Sequence, residues 1–216
     1  MSTLAQPVQS SPGTASTESL PSRRLLVILA GTYLVIFGAL MVTGGDRSPK
    51  DDPSKIIADY NVSLLGIEVM TYAAVIACAV LVFYGAALRR VLTAQAPRWT
   101  ADVAFIGFVT MAWTLGSFAV TALGLYHGVQ TGNTDVVAAL NVADTTNFPF
   151  AMIGLTCSMI GVGVTTLGTR ALPRWLAWAS IVLGAMAPLG PGGFLPFMVF
   201  PIWLIVVAAM VHRHQD

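Results

Sequence analysis

The sequence predicts an all-α, polytopic transmembrane helical bundle with six spans and both termini cytoplasmic. Three observations predict it. Of 216 residues, 56% are hydrophobic and only 10% charged, against about 25% charged in soluble domains. The apolar residues fall in long, charge-poor runs. The few basic residues also alternate in abundance from one flank of these runs to the next. The net charge of +1 excludes a strongly basic nucleic-acid binder. Two cysteines exclude a disulfide scaffold and a four-cysteine zinc site.

Residues 1–22 are rich in Ser, Thr, Pro and Gln and are expected to form a disordered cytoplasmic tail. Residues 23–214 are expected to form one six-helix transmembrane domain. A bilayer crossing takes about 20 helical residues, and the spans are placed near 25–42, 63–88, 101–126, 148–168, 175–189 and 194–211. The first is read as a span and not as a cleaved leader, because no A-x-A-like site follows it. The fifth is the shortest, stopped by Pro188 and the Gly190-Pro191-Gly192-Gly193 turn. Pro196 and Pro201 are expected to strain the last span. Trp113 and Trp178 lie inside spans and are expected to pack there.

The basic residues orient the spans. Arg23, Arg24, Arg89, Arg90, Arg98, Arg170, Arg174 and Arg213 flank one side, and only Arg47, Lys50 and Lys55 the other. The positive-inside rule makes the arginine-rich side cytoplasmic. Pro97-Arg98-Trp99 and Pro173-Arg174-Trp175 each open a helix after a cytoplasmic turn. Arg98, Trp99, Arg174 and Trp175 are therefore expected to anchor the interface, arginine at the headgroups and tryptophan at the boundary. Residues 57–61 and 142–147 each precede a span as a short outer helix. Taken together, these echoes permit a parallel internal repeat. They are equally what any cytoplasmic hairpin requires.

Two stripes of small residues mark helix packing. Span three carries Gly107, Thr110, Thr114, Ser117, Thr121, Gly124 and Gly128 at alternating spacings of three and four. Span four carries Asn147, Ala151, Gly154, Ser158, Gly161, Thr165 and Gly168 in the same rhythm. Each stripe lies on one helix face. Small residues let helices approach closely in lipid, where apolar burial cannot drive association, so spans three and four should pack together. A polar path lined by the hydroxyls of span three is the sharper reading. Against it, such hydroxyls can bond their own i−4 carbonyls.

Glu68 is the one acid clearly inside a span, and a charge at the bilayer centre costs ~2.5 kcal/mol or more. Tyr72, four residues on, is placed to donate to it. His127, Asn141 and Asp144 gather near the outer ends of spans three and four. One histidine with two carboxylates could hold a metal or shuttle protons. However, no spacing is diagnostic, and a histidine at a helix end is ordinarily an interfacial side chain. The expectation is no metal and no cofactor. Cys78 and Cys157 read as small core residues. His212 and His214 read as headgroup contacts beside Arg213.

The segments Lys55–Asn61, Ala86–Arg90, Ala138–Asp144, Leu172–Trp178 and Pro201-Ile202-Trp203 resemble a family of small multi-span, mainly actinobacterial, membrane proteins. That family is described only as a domain of unknown function. The resemblance implies topology and no activity. The leading functional expectation is an integral membrane protein of the cell membrane without a catalytic motif. It would be an accessory or apolar-ligand-binding component, partnered by membrane lipids and by another membrane protein or a second copy of itself. A small transporter using Glu68 is one alternative. An enzyme acting on a lipid through Glu68, His127 and Asp144 is the other.

Overall fold

The computed structural model describes residues 23–43, 50–59, 63–94 and 99–211. The expected tail, together with Tyr60, Asn61, Pro97, Arg98, His212, Arg213 and His214, lies outside them. The described residues are helical, with no strand among them. In chain order the helices are α1 (Arg23–Thr43), α2 (Pro53–Asp59), α3 (Leu64–Thr93), α4 (Trp99–Gln130), α5 (Thr134–Thr146), α6 (Phe148–Thr169), α7 (Arg174–Met186) and α8 (Phe194–Met210). A 3-10 turn over Gly190–Gly193 joins the last two.

Local chemistry sets the boundaries. The Ser63 hydroxyl accepts the Gly66 N–H at the start of α3, at 3.1 Å. Such a cap satisfies a donor that has no partner within the helix. Asn133 does the same for Val136 at the start of α5, after a turn in which Gly132 takes a φ of 63°. Asn147 closes α5 and opens α6, with Pro149 in the first turn, where its missing N–H costs nothing. Arg170 ends α6 at a φ of 57°. This left-handed conformation costs a residue with a Cβ ~1 kcal/mol or more, and glycine avoids the cost.

Four helical stretches are long and apolar enough to cross a membrane: Arg23–Met41, Leu64–Thr93, Trp99–Gln130 and Thr134–Thr169. Two shorter apolar helices, Arg174–Met186 and Phe194–Met210, complete the set. At about 1.5 Å per residue, the 13 residues of α7 cover about 20 Å. The expected span to Leu189 includes three residues beyond the helix. Pro196 lies in the first turn of α8, where proline is tolerated, so only Pro201 interrupts a helix interior. The orders α2–α3–α4 and α5–α6–α7 echo the suspected repeat. The third members differ greatly, at 32 and 13 residues.

Helix α4 is the central post. It packs on α3, α6 and α5, meeting α6 through Gly107 and Met111 and α5 through Gly124 and Gly128. Helix α1 closes against α3 and α8, and α7 lies on α6. The core holds Tyr33, Tyr84, Phe108, Phe200 and Trp203 in edge-on and stacked contacts. A smaller second core joins Ile56 of α2 to Leu125, Val129 and Val137. Outward-facing positions are also apolar, including Ile28, Val35, Leu65, Phe83 and Val120. Trp113 is 76% exposed and Trp178 58%. Contrary to expectation, both leave the bundle and do not pack inside it; α4 turns Phe108, Met111, Leu115 and Leu125 inward, and α7 Leu176, Ala177, Ser180 and Gly184.

Candidate functional site

The small-residue seam is the best-defined feature. A Cβ on Gly107 would lie within 2.8 Å of the backbone of Ser158 and Gly154 on α6. A Cβ on Gly161 would meet the Ala104 nitrogen at 2.6 Å, and one on Gly154 the Met111 nitrogen at 2.9 Å. The two backbones are thus nearly in contact. At the end of the seam formed by the start of α4 and the end of α6, the Thr100 and Thr165 hydroxyls stand 2.6 Å apart. Thr165 donates to the Gly161 carbonyl, which leaves Thr100 to donate to Thr165. Ser158 is fully buried and bonds the Leu155 carbonyl.

The stripe on α4 serves two partners. Gly107 faces α6. Gly124 faces Leu140, and Gly128 faces Val136 and Val137, all on α5. Between them Thr110 and Thr114 donate to the Ile106 and Thr110 carbonyls. The Thr121 hydroxyl lies 3.0 Å from the Ser117 carbonyl and shares its single proton between that carbonyl and an acceptor on α5, and Ser117 itself is half-buried. These hydroxyls are held by their own helix, as the blander reading had it.

Because α5 folds back along α4, Asp144 comes level with Thr121. The Thr121 hydroxyl lies 3.0 Å from an Asp144 carboxylate oxygen, which accepts from it. Asp144 is half-buried and Asn141, one turn earlier, is buried. This is the part of the suspected polar cluster that assembles. Glu68 lies in the second turn of α3 on its exposed side, and Tyr72 is 69% exposed. No hydrogen bond joins the two. His127 is exposed in the last turn of α4, its ring against Tyr126. Among the described residues no three His, Cys, Asp or Glu side chains stand close enough to hold a metal ion. The Glu68–His127–Asp144 cluster therefore does not form.

The Thr121–Asp144 bond joins two helices in an apolar setting, where such bonds contribute about 0.6 to 1.7 kcal/mol. Thr121→Val and Asp144→Ala are each expected to lower unfolding stability in detergent by about 1 kcal/mol. The double variant should lose little more, since both remove one interaction. Fully additive losses would show that the two side chains do not act together.

Four interhelical features went unread in the sequence. A second seam joins α6 to α7, where a Cβ on Gly163 would meet the Ala177 carbonyl oxygen at 2.6 Å. The Trp203 indole donates to the Ser180 hydroxyl at 2.9 Å, tying α8 to α7. Tyr84 donates to the Leu204 carbonyl at 2.7 Å, tying α3 to α8. Arg89 pairs with Asp102 between α3 and α4. Gly163 and Gly184 carry the only sequence signal, lying off the stripe already recognised. Cys78 adds a thiol bond to the Ala112 carbonyl at 3.0 Å, and both cysteines are free.

Trp99 is 75% exposed at the start of α4, and Trp175 is 58% exposed beside exposed Arg174 at the start of α7. A lateral apolar groove of about 390 Å³ runs between the start of α6 and the α7–α8 joint, lined by Phe148, Met152, Ile153, Cys157, Ala187 and Pro188. No family model, no curated protein and no solved structure matches this chain.

Proposed function

We propose that the protein is a six-span integral membrane protein of the cell membrane with both termini cytoplasmic. It acts by non-covalent association with lipid and with a partner membrane protein or a second copy of itself. The division of polarity carries this reading. Large apolar side chains cover the outside of the bundle, while the hydroxyls of Thr114, Ser158, Thr165 and Ser180 inside bond carbonyls of their own helix and Thr100 bonds Thr165; those of Tyr33, Thr156 and Thr166 are buried with no hydrogen-bond partner among the described residues. A surface of this kind matches hydrocarbon. The arginine-rich flanks orient it, and α7 with residues 187–189 makes the short fifth crossing. The lateral groove offers a seat for an acyl chain on the lipid side.

Purification in mild detergent, followed by mass spectrometry of whatever stays bound, tests the proposal. A stoichiometric lipid or a defined membrane partner is the expected result. Loss of solute flux in vesicles on Glu68→Gln, with folding intact, would replace it with a transporter. Accumulation of a lipid substrate in membranes carrying Asp144→Asn or His127→Ala would replace it with an enzyme.

A further inference from the structure

We infer that the α6–α7 turn is a binding site for the headgroup of an anionic phospholipid. Arg170 and Arg174 bracket a turn whose middle residues, Ala171 and Leu172, are buried at 7% and 1% exposure. The turn is therefore held firmly by the core. The Arg170 N–H bonds the Thr166 carbonyl at 2.7 Å, and the Ala171 N–H reaches the Thr169 hydroxyl. Both arginine side chains are exposed on this fixed ledge. Trp175 and Trp178, each 58% exposed, lie one helical turn apart on the same face of α7.

Charge complementarity identifies the occupant. From residue 145 to residue 215 the chain contains no Asp or Glu. Neither Arg170 nor Arg174 has an acidic partner among the described residues. The α3–α4 junction differs, because there Asp102 neutralises Arg89. Any counter-charge at the α6–α7 turn therefore comes from outside this stretch of the chain. A guanidinium presents paired donors that match phosphate oxygens. The indoles beside it belong at the boundary between headgroups and hydrocarbon. Together they fit a phospholipid with net negative charge better than a free phosphate. Arg170 itself stands in a left-handed conformation that glycine would adopt without strain. Keeping a cation there has a structural cost, and a bound anion gives a reason for it.

The inference rests on the cytoplasmic placement of this turn. Native mass spectrometry of the full chain in detergent, titrated with phosphatidylglycerol or phosphatidylcholine, tests it. Retention of phosphatidylglycerol should exceed that of phosphatidylcholine, and Arg174→Gln should cut the excess about fivefold. Arg170→Gly should cut it similarly while raising the thermal midpoint, because it relieves the backbone. Equal retention of the two lipids, or unchanged retention in both variants, overturns the site. Displacement of phosphatidylglycerol by millimolar inorganic phosphate would also overturn it, by showing that the ledge takes the free ion. Arg174→Cys, labelled with an impermeant maleimide in inverted and right-side-out vesicles, separates the two claims. Labelling from the outer side alone refutes the topology. Cytoplasmic labelling with equal lipid retention refutes only the lipid site.

Discussion

Gly107→Ala is expected to destabilise the protein by about 3 kcal/mol or more, and Gly107→Leu to prevent assembly of the bundle. A single added methyl would stand 2.3 Å from the Ser158 backbone nitrogen and 2.7 Å from the Gly154 carbonyl oxygen. Neither is a side-chain tip that can swing aside. Helices α4 and α6 would have to separate, and overpacking of this kind costs about 1–3 kcal/mol even where relief is available. The penalty is magnified in lipid, where close van der Waals contact drives helix association. Gly31→Ala and Gly38→Ala supply the control. An added Cβ at either meets nothing within 4 Å, and alanine favours a helix over glycine by up to about 1 kcal/mol. These two should hold or gain stability. Unfolding of each variant by titrated denaturing detergent, followed by circular dichroism, gives the ranking. A Gly107→Ala midpoint within error of the parent would remove the seam from the account.

That seam is also where the sequence spoke most clearly. Spacings of three and four in Gly107, Thr114, Gly154, Ser158, Gly161 and Thr165 describe a helix face whatever the fold, and small residues in lipid have few other uses. The long apolar runs were legible for a similar reason, since hydropathy and length are properties of the segment alone. What could not be read was direction. In α3 and α4 nearly every position is apolar, so periodicity does not say which face turns inward. Glu68 thus came out exposed and Trp113 left the bundle. Helix α5 was foreseen only as a short outer segment, although Gly132 and Asn133 carry the turn and cap signals that start it at Thr134. The Trp203–Ser180 and Tyr84–Leu204 bonds join residues 23 and 120 positions apart. No local pattern announces such pairs.

Phe200→Ala should be the most damaging change on α8, at about 3–5 kcal/mol, the range for emptying a large buried aromatic site. Phe200 is fully buried. It meets Tyr33 of α1 edge-on, with centroids 5.9 Å apart. It also stacks on Trp203 at 5.7 Å and touches Phe108 of α4 at 6.2 Å. One ring therefore links the first helix, the central post and the last helix. Helix α8 packs mainly on α1 and makes few contacts with α6 and α7. Beyond the Trp203–Ser180 and Tyr84–Leu204 hydrogen bonds it has little with which to compensate. Pro201, the next residue, lacks the N–H that would bond the Phe197 carbonyl, so side-chain packing must hold α8 in place there. Phe200→Leu keeps most of the volume and should cost less than half as much as alanine. Protease sensitivity tests the local consequence. In Phe200→Ala the α1 and α8 ends should become susceptible before the α4–α6 pair does. Cleavage that begins instead within α4–α6 would mean that the chain ends are not closed through this ring.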